Sequence, residues 1–352
     1  MATIYYDRLL DQLLKVFREI SLPGVPCPEH LYHYTTDEKF PKIISDNRLR
    51  AYSADSQRKD ETEIIHGCEL LGELLESELK SVGLSNFTRS LLEHLKFLPG
   101  QRRSWVFLAC FSSKNDNERL WEKFRSSYCL VFETDPLRYK CVTAPRGLAS
   151  GQGFWTELAP VIYDRKKQTR LLVKALKALI AILEDTSIIQ GISFGPWTSD
   201  MVRFTADTLA EFLLSLVVRF KSKEFSDEYE WRVIARPNRT HFSSDAREAD
   251  KNCECYVKKD GERKYIEMSG IEPEVLIRPG EPIFGLDVSN VKLPIREVVV
   301  GPKLSVEMFD HTRLILSDCG RRDVRISKSR HAVKNWFQRA AMARLMRRTY
   351  LS

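Results

Sequence analysis

Glu228-Tyr229-Glu230-Trp231-Arg232, running on into Val233-Ile234-Ala235, is the stretch that decides the fold. Charged and aromatic residues lead into an apolar, β-branched pair, the pattern of a half-buried strand entered from a polar loop. Residues two apart in a strand point to one face, so the pattern predicts Glu228 and Glu230 side by side. Carboxylates so placed repel, which calls for a retained proton or a nearby cation such as Arg232 or Lys223. Two functions fit the pattern. It is either the solvated acidic face of an edge strand, or a pair with divided labour. In the second case one Glu faces a developing positive charge and its neighbour an incoming nucleophile.

The 352 residues are 43% apolar, enough for one large or two modest domains with a real core. Charged residues make up 29%, too many and too mixed for a membrane protein. The longest apolar run, Leu209 to Phe220, contains Glu211 and Arg219 and is too short to span a bilayer. Asp7, Arg8, Asp11 and Lys15 interrupt the first residues, unlike a secretory signal. The 8 cysteines are scattered, and Cys253-x-Cys255 alone does not make a metal site, so no metal is expected. Several lie in apolar runs, which fits core thiols and a cytoplasmic location. The net charge of +7 permits an anionic partner.

Taken in order, residues 1–30 read as an amphipathic helix, with Ile4, Leu10, Leu13, Leu14, Phe17 and Ile20 on one side, and a proline-rich linker. A body follows over 31–303. Its expected strands are Leu31–Tyr34, Leu49–Ser53, Val106–Phe111, Tyr128–Phe132, Ala159–Tyr163, the Glu230 stretch, Cys255–Lys258, Lys264–Met268 and Ile295–Gly301. Helices are expected after Thr35-Thr36-Asp37, over 61–97 with a break near Gly83, and over Asn115–Phe124. A helical insertion is expected near 165–222. Thr143 to Phe154 carries glycines without the Lys-Ser/Thr ending of a P-loop. The segment 304–352 reads as a basic extension. Arg321 to Arg348 is rich in Arg and Lys, and Val333, Phe337, Ala341 and Leu345 recur every four residues. It is either a helix docked on the body with a solvated basic face or a contact for nucleic acid or an acidic surface.

Several of these pieces together resemble a known family. They are Leu31-Tyr32-His33-Tyr34-Thr35, Ile43-Ile44, Leu49-Arg50, Asp60 with Glu63, and Cys110-Phe111-Ser112 with Leu120-Trp121 and Phe124. Tyr229-Glu230-Trp231-Arg232 and Val299-Val300-Gly301-Pro302 complete the set. Their order and spacing over 31–303 resemble a bacterial family known as domain-of-unknown-function family 2971. Lys59-Asp60-Glu61 departs from the Asn-Asp-Pro usual there. That label implies no activity. Leu31 to Leu49 and Val106 to Phe132 are also similar, more distantly, to two motifs of ADP-ribosyltransferases of the DNA-modifying toxin and poly-ADP-ribose polymerase kind. Glu228-Tyr229-Glu230 resembles their Glu-x-Glu.

This second resemblance implies an α+β fold with a split, mostly antiparallel sheet, wrapped by added helices and gripping NAD. Glu230 would stabilise the oxocarbenium-like state of nicotinamide–ribose cleavage, and Glu228 would take the acceptor's proton. His33 would hold a ribose or a phosphate, with Thr35 beside it. Tyr34, Trp121 and Phe124 would sandwich the cationic nicotinamide. Ser112 and Ser113 match the hydroxyl motif, with Phe111 where a Tyr is usual. Arg50, Arg58 and Lys59 would pair with the pyrophosphate. Among these, His33 also fits a satisfied core histidine, Phe124 a packing residue, and the three cations a solvated surface.

The implied activity is NAD-dependent mono-ADP-ribosylation of a macromolecule, nucleic acid or protein, in a toxin or phage-defence setting. The alternatives are an NAD glycohydrolase and a non-catalytic module that binds a nucleotide or nucleic acid. The enzymatic readings require His33 and Glu230 to share one cleft.

Overall fold

The computed structural model describes residues 25–56, 61–80, 83–102, 106–125, 127–134, 154–185, 212–237, 257–268 and 292–331, with isolated positions at 12, 15–16, 20, 206 and 209–210. The helix expected over 3–20 and the Gly-containing loop after 143 lie outside these residues but for isolated positions. Arg58, Lys59, Asp60 and the apolar repeat from Val333 also lie outside them.

The sheet is built around β3 (Phe107–Ser112), in which only Cys110 is less than fully buried. A strand apolar on both faces belongs inside a sheet. One edge of β3 pairs along its whole length with β6 (Glu230–Pro237), from Phe107↔Ala235 to Ser112↔Glu230. Its other edge is shared. β2 (Leu49–Ser53) pairs there with Phe107 and Leu108, while β1 (His30–Thr35) pairs only through Tyr32↔Ser112. Two wings extend from these strands. β1 continues through β4 (Tyr128–Glu133) and β9 (Ile295–Val300) to β10 (Arg325–Lys328). β2 continues to β8 (Arg263–Met268) and β7 (Lys258–Asp260), and β5 (Phe154–Pro160) pairs with β6. All of these strand pairs are antiparallel except β9 with β10.

Helices cover both faces, giving a mixed fold with a mostly antiparallel sheet, compatible with α+β. On one face lie α1 (Phe40–Asp46) and α6 (Val306–Asp318), where Phe40, Ile43, Ile44 and Leu316 pack on Phe107, Phe111 and Trp231. On the other lie α2 (Glu61–Leu79), α3 (Asn86–Arg102), α5 (Arg165–Leu183) and the helical residues 212–217, packed on Leu108, Ala159 and Ile234. The break between α2 and α3 falls at Gly83, whose φ of +101° glycine adopts without strain. Among the described residues, no helix is long and apolar enough to cross a membrane.

α4 (Glu118–Lys123) covers a smaller cluster of Trp121, Cys129, Val131 and Val299, and is capped by the Asn117 side chain. Residues 304–331 join this body. β10 extends the sheet, and Ser329 Oγ and the Arg330 N–H both donate to the Asp116 carboxylate (2.6 Å each) in the loop before α4.

Gly301 shows how tightly β9 leaves the sheet. Its N–H donates to the Ser127 carbonyl at 2.7 Å, and an added Cβ would sit 2.8 Å from that oxygen and 3.0 Å from Trp121 Cζ3. Neither neighbour yields easily, because one is backbone and the other a packed indole. Gly301→Ala is expected to lower stability by about 1–3 kcal/mol, seen as a lower denaturant midpoint at unchanged slope. An unchanged midpoint would mean that the site relaxes without cost.

Candidate functional site

The acidic stretch is not a continuous strand. Lys223–Glu228 forms a 3₁₀ helix, Tyr229 turns with a left-handed backbone (φ 48°, ψ 44°), and β6 opens at Glu230. Strand alternation therefore does not align Glu228 with Glu230, contrary to the sequence expectation. A positive φ is uncommon for an aromatic residue and costs on the order of 1–3 kcal/mol. Neighbouring groups hold the turn. Ser113 donates to the Tyr229 carbonyl through both N–H (2.8 Å) and Oγ (3.1 Å), and Ser112 Oγ donates to the Glu228 carbonyl at 2.7 Å. The Glu230 N–H donates to the Tyr163 hydroxyl at 2.9 Å.

The two carboxylates nonetheless converge, through a cation the sequence did not single out. Lys221 Nζ lies 2.7 Å from Glu228 Oε2 and 2.9 Å from Glu230 Oε2. Lys123 Nζ takes Glu228 Oε1 at 2.5 Å, and Arg232 Nε takes Glu230 Oε1 at 2.6 Å. Arg232, one of the two expected partners, is confirmed, but Lys221 stands in place of Lys223. The row Lys123–Glu228–Lys221–Glu230–Arg232 alternates in sign and is largely buried, which is how charge is kept inside a protein. Burial alone would raise the Glu230 pKa. The Arg232 and Lys221 charges and hydrogen bonds outweigh it and hold the carboxyl well below the usual range.

A cleft with about 140 Å³ of free space lies beside this row. Tyr32 sits opposite Ser112, and Ser112 opposite Glu230, so these three share a face and line the cleft. Phe124, Lys221 and Glu228 form further lining. By alternation His33 belongs to the opposite face, where its ring lies 5.6 Å from Phe111. It still enters the lining, because the cleft reaches the place where β3's second edge is unpaired.

Hydrogen-bond parity explains that opening. Ser113 bonds toward β6, so odd-numbered β3 residues direct their backbone to β6 and even-numbered ones to the other edge. Leu108 and Ser112 meet β2 and β1 there, and between them the Cys110 carbonyl accepts from His33 Nδ1 at 2.9 Å. A carbonyl can only accept, so Nδ1 carries the proton and Nε2 keeps its lone pair. Burial lowers the His33 pKa, helped by Lys39 and opposed by the Cys110 bond, which favours the neutral ring.

The other expected site residues are dispersed. Tyr34 lines the cleft and accepts from the Asn117 N–H at 2.7 Å; burial is the main cause that raises its phenol pKa. Trp121 is 3% exposed, packs edge-to-face on Tyr34 at 4.9 Å and donates to Asp116, so it is not a free stacking surface. Phe124 is 38% exposed. Thr35 is buried, and Ser113 is spent on the turn. Arg50 lies on the β2–β8 wing, bonded to Asp260 at 3.1 Å and stacked over Tyr265 at 4.5 Å, and is not part of the lining. Lys123, Lys221, Tyr163 and Tyr32 were not expected in the site. The available signal was Lys221 itself, a charge directly after the apolar run to Phe220 and shortly before two glutamates.

No protein-family model, curated protein or solved structure matches the chain, so the resemblances rest on the residues quoted above.

A depressed carboxyl pKa contributes stability that is fully present above the unfolded value of about 4.3 and lost as pH falls through the folded one. Glu230→Gln removes that dependence. The variant is expected to lose on the order of 3 kcal/mol at pH 7 and to show a flatter fall in melting temperature below about pH 5 than the parent. Parallel acid limbs would mean that Glu230 is not the titrating group.

Proposed function

We propose that the cleft binds NAD and that the protein transfers ADP-ribose from it to a macromolecular acceptor, with Glu230 as the catalytic carboxylate. One observation carries this reading: Glu230, paired with Arg232 and Lys221, and His33, bonded through Nδ1 to the Cys110 carbonyl, line the same cleft, at the point where the second edge of β3 is divided. A divided edge is what the resemblance to ADP-ribosyltransferases leads one to look for, and it supports the finer reading of the fold as a split sheet.

In the proposed reaction the bond between nicotinamide nitrogen and ribose C1′ breaks, and its electron pair leaves with nicotinamide. The ribose becomes oxocarbenium-like, and the Glu230 carboxylate stabilises that charge more than the ground state. The acceptor's nucleophile then bonds to C1′ and gives its proton to Glu228. His33 Nε2 accepts from a ribose hydroxyl. Phe124 and Tyr34 offer aromatic surface to the nicotinamide, without Trp121. The resemblance extends the proposal to a cytoplasmic effector of the toxin or phage-defence kind, with the basic residues after Arg321 as a contact for a nucleic-acid acceptor. Arg321 itself is buried and donates to the Leu293 and Ile295 carbonyls.

A second reading has an observation of its own. Each carboxylate oxygen of Glu228 and Glu230 already has a cation, and three cations face two carboxylates. That surplus favours a cleft that holds a nucleotide's phosphates without cleaving it.

Nicotinamide release from NAD, with and without a candidate acceptor, separates these readings. The parent is expected to release nicotinamide, and Glu230→Gln, assayed well below its melting temperature, to lose about 10²–10³-fold in rate. Equal release from both would remove Glu230 from the chemistry. NAD-dependent stabilisation without release would favour the non-catalytic reading. Release that ignores acceptors would point to a glycohydrolase.

A further inference from the structure

Lys221 is the least exposed member of the charged row, with 1% of its side chain exposed. Its main chain is fixed from both sides. The Lys221 N–H donates to the Ile162 carbonyl at 3.2 Å, and Gln168 Nε2 donates to the carbonyls of Ile162 (2.7 Å) and Lys221 (3.0 Å). Gln168 is 1% exposed and belongs to α5, so a helix far along the chain from the acidic turn sets where this ammonium stands. The Phe225 ring of the 3₁₀ turn lies 5.0 Å from Nζ.

We propose that Lys221 is the positioning residue of the cleft: its single ammonium, shared by Glu228 and Glu230, lets two neighbouring carboxylates be ionised together and turns both toward one space. The inner oxygens of the two glutamates lie no further apart than the sum of their two bonds to Nζ. The other charged groups on the pair act from outside, Lys123 from α4 on Glu228 and Arg232 from β6 on Glu230. The Tyr163 hydroxyl bonds the Glu230 main chain, and the neutral His33 faces the cleft from β1. Lys221 is the cation bonded to both inner oxygens, and carboxylates that lose such a shared cation come to share one proton. The inference concerns this cleft whether or not NAD is its ligand, so it stands or falls apart from the proposed activity.

The test is the pH dependence of stability in the full chain. In the parent Lys221 stands between the two carboxylates and the Glu230 carboxyl is held well below its usual range, so the Glu230 titration leaves the melting temperature flat from about pH 5 to 8. In Lys221→Met one carboxyl has a folded pKa above its unfolded value. The stability from its proton is then present below the unfolded pKa and lost as pH rises through the folded one. The folding equilibrium of Lys221→Met, relative to the parent, is therefore expected to fall between about pH 5 and 8, by close to tenfold per pH unit at the steepest. Lys221→Met/Glu228→Gln should be flat again, and Lys221→Arg should follow the parent. A loss of equal size at every pH would reduce Lys221 to a packing role and overturn the proposal. Should Lys221→Met not fold, the ¹⁵Nζ resonance of the parent, assigned by its absence in Lys221→Arg, decides the matter. It is expected to be that of an ammonium at pH 7, and a neutral amine there would overturn the proposal.

Discussion

Two buried carboxylates cannot both be ionised next to each other unless positive charge stands between them, and this constraint organises the structure. Here that charge comes from Lys221, which follows the apolar run through Phe220 and is fastened to α5 through Gln168. The glutamates come from a 3₁₀ turn and the first residue of β6, joined by a tyrosine in a left-handed backbone. Three parts of the fold therefore have to arrive together before the row of alternating charges is complete. Removing one member of such a row leaves its partners buried without that ion pair, which is costly, whereas the intact row contributes little net stability. Its value lies in what it holds in place.

What it holds is the wall of a cleft. On that face the sheet carries two apolar clusters, one under α4 around Trp121 and one under α2, α3, α5 and residues 212–217. Ser112, Glu230 and Arg232 belong to the same face and supply polar surface there. The divided edge of β3 then lets His33 reach in from the opposite face. The imidazole bond to the Cys110 carbonyl occupies the one backbone acceptor that neither β1 nor β2 covers, so the same bond satisfies the sheet and sets the tautomer.

Much of the fold was legible in the sequence because period and burial agree. The apolar runs at 107–112, 128–133 and 295–300 are strands, and the amphipathic pattern after Asp164 is a helix. The site was legible in part. His33, Ser112, Glu228 and Glu230 all reach one cleft, and Arg232 pairs with Glu230. Tyr229 defeated the period-two pattern, since a positive φ at an aromatic residue has no local signature and depends on Ser112, Ser113 and Tyr163. Lys221 was hidden because its partners lie further along the chain. Arg50 and Trp121 were placed by motif order, which does not record that one wing turns away or that an indole is already covered by Tyr34.

The central claim is that His33 and the glutamate row form one nucleotide-binding cleft. The imidazole ¹⁵N resonances of His33 at pH 7, followed while NAD is added, test it most directly. A neutral ring protonated at Nδ1, with an Nε2 signal that shifts saturably with NAD, is the predicted result. An imidazolium in the free protein, or an Nε2 signal indifferent to NAD, would contradict it.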